Sequence, residues 1–336
     1  MVVGSIGFDA GAVRPKEMIM AKRKKADVVE ASAESGSDVA SEPVVVTADA
    51  PPAVDPPVVE ERKPYVFSRH SAWSMKVFRE SPLKWRRMFV EGIMDDDSKK
   101  HYEFGKAFAI HLLEPHRKDR ILVADLDRRK TADKVVWAEA KRLGKIIIST
   151  EEDALIPKMI DAVCANEEAA RILSHPGAKR EQKMEWDCLL TGLPMKARLD
   201  VDIDDELLIA DVKTTDKPLD PESFGRDCYE YDYHVQDAMY VDGKEAVTGK
   251  KGWRFLHIVV CKNPKFGIEA MVCELSPRAV MVGRQVFFNT AEDLKVAMQY
   301  DSFSSPWTIG IQPVDLPGWA YSKLRNNLPW QMQVQN

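Results

Sequence analysis

Two short stretches, Ala197-Arg198-Leu199-Asp200 and Asp211-Val212-Lys213, with ten residues between them, decide how this chain is read. The second follows Leu207-Leu208-Ile209-Ala210, a continuous apolar run. Such a run marks a strand buried on both faces, so Asp211 emerges at the mouth of a core. Asp200 falls on the preceding strand, and a turn at Asp204-Asp205 makes a hairpin short enough to bring both carboxylates beside the Lys213 ammonium. Oxygen ligands of this kind suit Mg2+, with Mn2+ as a substitute, an ion that polarises a phosphodiester and lowers the pKa of a bound water. Lys213 then positions the attacking water or stabilises charge on the transition-state phosphorane. The competing reading makes both aspartates solvent-facing strand residues and Lys213 an edge-strand charge. The buried run argues against it, because charges seldom sit at the mouth of a core without a partner or a task.

Outward from this hairpin, apolar alternation predicts strands over residues 183–190, 195–203 and 206–213, separated by Thr191-Gly192 and Asp204-Asp205. Before them the period is helical: residues 104–113, 131–142 and 151–173 read as helices, the last ended by His175-Pro176-Gly177. After them come a helix over 231–242 and strands over 253–261 and 268–275. Ser276-Pro277 then opens a long amphipathic helix to about Tyr300. This order predicts an α/β fold with a central mixed β-sheet flanked by helices.

The remaining sequence bounds the setting. With 45% hydrophobic and 30% charged residues the chain is able to bury a sizeable core, and a collagen-like or wholly disordered polymer is excluded. Charge is unevenly placed within the net −5: residues 1–25 hold six basic and two acidic side chains, and residues 26–60 hold eight acidic and no basic ones. That second stretch, with Pro51-Pro52 and Pro56-Pro57 and no aromatic residue, buries too little to offset its chain entropy. The expectation is a disordered N-terminal segment over 1–63, with an acidic linker, and one folded domain over 64–336. The five cysteines are far apart and form no CxxC pair, which argues against a disulfide framework, a zinc site or an iron–sulfur cluster. No signal-peptide pattern and no apolar run of about 18 residues occurs, so the expected location is cytoplasmic, without membrane contact.

Three blocks in order give the chain a family resemblance. Phe104-Gly105-Lys106-Ala107-Phe108-Ala109-Ile110-His111-Leu112-Leu113-Glu114-Pro115, Asp211-Val212-Lys213-Thr214-Thr215 and Tyr231-Asp232-Tyr233-His234-Val235-Gln236-Asp237-Ala238-Met239-Tyr240 resemble the PD-(D/E)xK nucleases, and within them the RecE (exonuclease VIII) type of phage and prophage exonuclease. The likeness covers roughly residues 71–323. It implies the restriction-endonuclease-like fold, with His111, Asp200, Asp211 and the Val212 carbonyl as metal ligands and Lys213 as the catalytic lysine. Gln236 and Tyr240 match the family's QxxxY, which holds the lysine and the DNA backbone near the site. It also implies 5′-to-3′ digestion of one strand from linear double-stranded DNA ends, a ring-shaped homo-oligomer, and a RecT-type single-strand annealing partner in a bacterial host cell. Read from the helix alone, a histidine such as His111 on an apolar face is more often a hydrogen-bonded core residue than a ligand.

Departures from the pattern are few. Leu199 stands where the motif name has proline, and Asp211 replaces the commoner glutamate. Glu181 and Glu185 are candidate carboxylates on the strand before Asp200, a solvated strand face being the alternative. Glu114 either orients His111 or simply precedes the proline. DNA contacts are expected from part of the Arg128-Arg129-Lys130 cluster, with Lys84, Arg86, Arg87 and residues 117–120 as further cations. Trp73, Trp85 and Phe89 either wedge at a DNA end or belong to the core. The rival functions are another nuclease of the superfamily, such as a structure-selective endonuclease or a RecB-like repair nuclease, and a non-catalytic DNA-end-binding scaffold.

Overall fold

The apolar run that ends in Asp211 becomes the middle strand of a five-stranded sheet. The computed structural model describes residues 68–93, 100–127, 129–308, 310–318 and 320–321. The segment expected to be disordered, 1–63, and Arg128 of the basic cluster lie outside the described residues.

Helix α1 (Ala72–Glu80) begins with a capping box in which Ser71 and Ser74 satisfy each other's backbone N–H groups. Helix α2 (Pro82–Phe89) starts at the Ser81-Pro82 signal, and α3 (Lys100–Leu113) stops two residues before Pro115. Strand β1 (Ile121–Val123), helix α4 (Thr131–Arg142) and strand β2 (Ile146–Ile148) follow. The two strands pair in parallel as a separate small sheet. Three-residue strands carry too little alternation to be seen in sequence.

The helix expected over 151–173 is two helices, α5 (Thr150–Ala165) and α6 (Glu167–Ser174). Asn166 divides them, because its side chain accepts the Ala169 N–H at 3.0 Å and so caps a new helix instead of continuing the old one. The meander then runs as β3 (Lys179–Asp187), β4 (Pro194–Ile203) and β5 (Leu208–Thr215). The expected first strand is shifted, since Leu189 and Leu190 are exposed in the turn that follows β3.

Helix α7 (Pro221–Glu230) has no counterpart in the sequence reading. Helix α8 (Tyr233–Thr248) runs past its expected end to Gly249, which closes it at φ 70°. Strands β6 (Arg254–Cys261) and β7 (Ala270–Glu274) and the long helix α9 (Pro277–Tyr300) complete the described order.

The sheet order is β3-β4-β5-β6-β7, with β5 and β6 parallel and every other pair antiparallel. A parallel pair needs a crossover, which α7 and α8 supply. Ile209 packs on one face with Met195, Leu199, Met239 and Phe287, while Leu208 and Ala210 pack on the other with Phe108, Ile156 and Ile258. The inference of a strand buried on both faces therefore holds, with Leu208, Ile209 and Ala210 all at most 2% exposed. Trp85 and Phe89 belong to the first core; Trp85 stacks on Phe303 at 5.4 Å, and Trp73, half exposed, stands edge-on to Phe89 at 5.4 Å. Among the described residues no helix is long and apolar enough to cross a membrane.

Candidate active site

Strand register builds the site. Arg180 faces Val201 and Gln182 faces Leu199, which puts Glu181 level with Asp200 across β3 and β4. On the other side the β4–β5 ladder stops at Val201 and Ala210, one step short of Asp200 and Asp211. Three carboxylates thus share one level on neighbouring strands, at the point where β4 and β5 part. Leu199 packs in one core and Val201 in the other, although residues two apart on a regular strand share a face. Strand β4 therefore changes facing at Asp200. Glu181, opposite it, has φ 55°, a left-handed conformation that costs a non-glycine residue about 1 kcal/mol.

Neighbouring groups fix the carboxylates. The Val212 N–H donates to Asp200 Oδ2 at 2.8 Å, and Gln236 Nε2 donates to Asp211 Oδ1 at 2.7 Å. The other oxygen of Asp211 pairs with the Lys213 ammonium, whose Nζ lies 4.7 Å from the centre of the Tyr233 ring. Gln236 also hydrogen-bonds Tyr240, which is buried one turn further along α8. Gln236 thus holds Asp211 and is itself held by Tyr240, while the Tyr233 ring lies against the lysine.

Burial, then the charge of Asp211, push the Asp200 carboxyl well above the usual carboxylate range. Burial works against the Lys213 ammonium, but Asp211 and Asp200 outweigh it and keep its pKa above the ordinary lysine value. Burial also raises Glu181, against the opposing pull of Arg198. Two desolvated, mutually repelling carboxylates with a third at the same level are hard-oxygen donors of the kind that suit a divalent cation. Among the described residues no three His, Cys, Asp or Glu side chains converge as a ready-made metal cluster. The Lys213 ammonium supplies the positive charge beside Asp211.

The structure brings together Asp200, Asp211, Val212, Lys213, Gln236 and Tyr240, whereas the charged groups that act on the His111 ring are Lys118 and Asp153. Burial first and Lys118 second lower the pKa of the His111 ring, and Asp153 on α5 opposes them. Glu114 does not turn to His111 either: it accepts from Arg117 at 2.6 Å and from Arg198 at 2.7 Å. Arg198 in turn pairs with Glu181. Of the two glutamates weighed in the sequence, Glu181 joins the carboxylate row, whereas Glu185 pairs with Arg69 at the solvated face. A cavity of about 420 Å³ beside Glu181 is lined by Lys106, Arg120, Lys141, Lys145 and Arg198 among others.

Sequence reasoning missed Tyr233, Arg198, Asp237 and His257. A histidine inside the apolar strand Arg254–Cys261 was the available signal for the last. His257 is Asp211's partner in the β5–β6 register, and neither ring nitrogen has a hydrogen-bond partner. Burial pushes its pKa down to about 4, so the ring is neutral at pH 7. Asp237 Oδ2 is 3.9 Å away, and burial, followed by the charge of Glu274, pushes its pKa up to about 8.

A raised native pKa favours the protonated carboxyl, so the unfolded chain ionises first as pH rises from about 4 and stability falls until about 8. Asp237→Asn removes that dependence. Its melting temperature is expected to match the parent's at pH 4.5 and to exceed it at pH 8.5, a gain on the order of a few kcal/mol. Thermal melts at the two pH values check it, and a constant offset between the proteins refutes the assignment.

Residues 71–304 match the profile of a PDDEXK-like domain of unknown function (DUF3799). The chain belongs to this family. As a PDDEXK-like domain it has the PD-(D/E)xK fold expected from the sequence, and membership supports a nuclease, a class whose superfamily generally uses divalent metal ions. A solved structure from Eubacterium rectale named "Putative exonuclease" is similar to this PDDEXK-like chain at 12% identity and a TM-score of 0.52, over 76% of this chain and 93% of its own. At that identity the likeness speaks for the fold. A second structure, SSO0001, is 12% identical over 68% of this chain and 86% of its own, and its TM-score of 0.25 carries no argument. No curated protein matches.

Proposed function

We propose that the protein is a Mg2+-dependent exonuclease that digests one strand of linear duplex DNA from an end, 5′ to 3′, leaving a 3′ single-stranded tail for strand annealing. The observation that carries this reading is the level row of Glu181, Asp200 and Asp211 at the parting of β4 and β5, with Lys213 paired to Asp211. The RecE-like sequence blocks support the exonuclease type, as does the name of the Eubacterium rectale structure that shares the fold.

Asp200, Asp211 and the Val212 carbonyl are the proposed ligands, with Mn2+ as a substitute ion. When bound, the ion polarises the phosphodiester and lowers the pKa of a coordinated water. Gln236 and the Val212 N–H fix the two carboxylates, so little reorganisation is left for the reaction. Lys213, between Asp211 and the Tyr233 ring, stabilises charge that builds on the phosphate oxygens. A ligand role for His111 rests on the resemblance alone. The same holds for the ring-shaped oligomer, the RecT-type partner and the cytoplasm of a bacterial host.

The test is incubation with end-labelled linear duplex and with a closed circle of the same sequence, in Mg2+, Mn2+ or EDTA. Loss of the linear label with either metal, and survival of the circle, is the expected result. Cleavage of the circle replaces the exonuclease reading with an endonuclease one. Intact DNA under every condition removes the nuclease reading.

A further inference from the structure

The wall against the catalytic lysine continues outward as a pair of tyrosines. Tyr233 packs beneath Lys213 Nζ, and its ring centre lies 5.7 Å from that of Tyr231, with an angle of 34° between them. Tyr231 is 37% exposed. The Tyr233–Tyr231 pair leads from the buried lysine to an aromatic face that is partly in water.

The joint that presents these rings is fixed by its neighbours. Asp232, between Tyr231 and Tyr233, has φ 63°, in the left-handed region that aspartate and asparagine enter more readily than other side chains besides glycine. Two cations from α1 pin it there: Arg79 hydrogen-bonds the Asp232 carboxylate, and Lys76 Nζ lies 3.5 Å from it. Lys76 also donates to the Glu230 carbonyl at 3.0 Å and lies 5.9 Å from the centre of the Tyr231 ring.

We infer that Tyr231, with Tyr233 behind it, is a stacking subsite for an unpaired nucleobase adjoining the cleaved phosphodiester. It rests on the nuclease reading of the same site. Every base has a π-face, so such a platform accepts any sequence while requiring that the base be unstacked from its duplex. A phosphate placed at Lys213 leaves its neighbouring base within one ring's reach of Tyr233 and Tyr231. The subsite therefore favours frayed or single-stranded ends over blunt ones.

The test uses the full chain in EDTA, where no cleavage occurs, and two duplexes carrying 2-aminopurine in a short unpaired stretch at either the 5′ or the 3′ end. Binding is expected to quench the probe on one of them. Tyr231→Ala is expected to weaken that binding about tenfold and to abolish the quenching. Tyr231→Phe, which keeps the ring, retains both, and melting curves of the two variants show that the fold is kept. Unchanged quenching and affinity in Tyr231→Ala, or no quenching of either probe by the parent protein, overturns the subsite. The companion digestion assay separates the outcomes: active cleavage with unaltered stacking removes this subsite alone, and stacking without cleavage under any metal removes the nuclease reading alone.

Discussion

Asp211→Asn is expected to lower cleavage of linear duplex DNA at least ~10³-fold while the chain still folds. The amide keeps the shape of the side chain and an oxygen able to accept the Gln236 bond, so the local packing survives. What it loses is the negative charge. That loss removes a proposed metal ligand and the partner of the Lys213 ammonium in one step. The fold is protected by Asp200, whose carboxyl is raised in part by the charge of Asp211. Once that charge is gone, Asp200 ionises more readily and becomes the counter-charge for Lys213, which already feels it. The cluster therefore retains one anion and one cation, and a buried unpaired ammonium, worth several kcal/mol of destabilisation, is avoided. Initial rates with Mg2+ and a melting curve measure the two halves of the expectation. Activity within tenfold of the parent protein removes Asp211 from the reacting centre.

How far the sequence could reach is visible in which neighbours of Asp211 it named. The strand itself was legible because burial on both faces writes a continuous apolar run into the residues. Gln236 and Tyr240 were legible because one helical turn separates them and a family pattern names both. Glu181 was only weighed, since its role depends on register across the β3–β4 turn and on the left-handed kink that aims it, neither of which residue types encode. His111 shows the converse limit. Its helix was read within a few residues, but the charged groups around the ring, Lys118 and Asp153, are set by how neighbouring elements pack on α3, which residue types do not encode. Helix α7 was missed because Phe224 and Cys228 are too sparse a stripe to show a period, although the Asp220-Pro221 cap was there to be seen.

Gly283→Ala is expected to be the most destabilising single methyl addition among the described glycines, and to impair the site as well. A Cβ at Gly283 falls 1.9 Å from the His234 carbonyl oxygen and 2.4 Å from its carbon, both of them backbone atoms. Ordinary contact begins near 3.4 Å, so α9 and the first turn of α8 must separate by about 1.5 Å. Yielding is hard there, because the His234 ring is tied to the Cys228 carbonyl at 2.9 Å and Val235 is in the core. In an exposed helix the same change gains up to about 1 kcal/mol, so the clash must first cancel that gain. A net loss of about 3 kcal/mol corresponds to a fall of roughly 10 °C in melting temperature. The turn that moves carries Tyr233 and Gln236, the residues that flank Lys213 and hold Asp211. Cleavage is therefore expected to fall even at temperatures where the variant stays folded. Gly225→Ala on α7, where a Cβ meets no atom within 4 Å, is the control and should melt at or above the parent temperature. A Gly283→Ala protein that melts within about 1 °C of the parent means that α8 and α9 do not approach this closely. The helix that holds Gln236 against Asp211 then owes its position to other contacts.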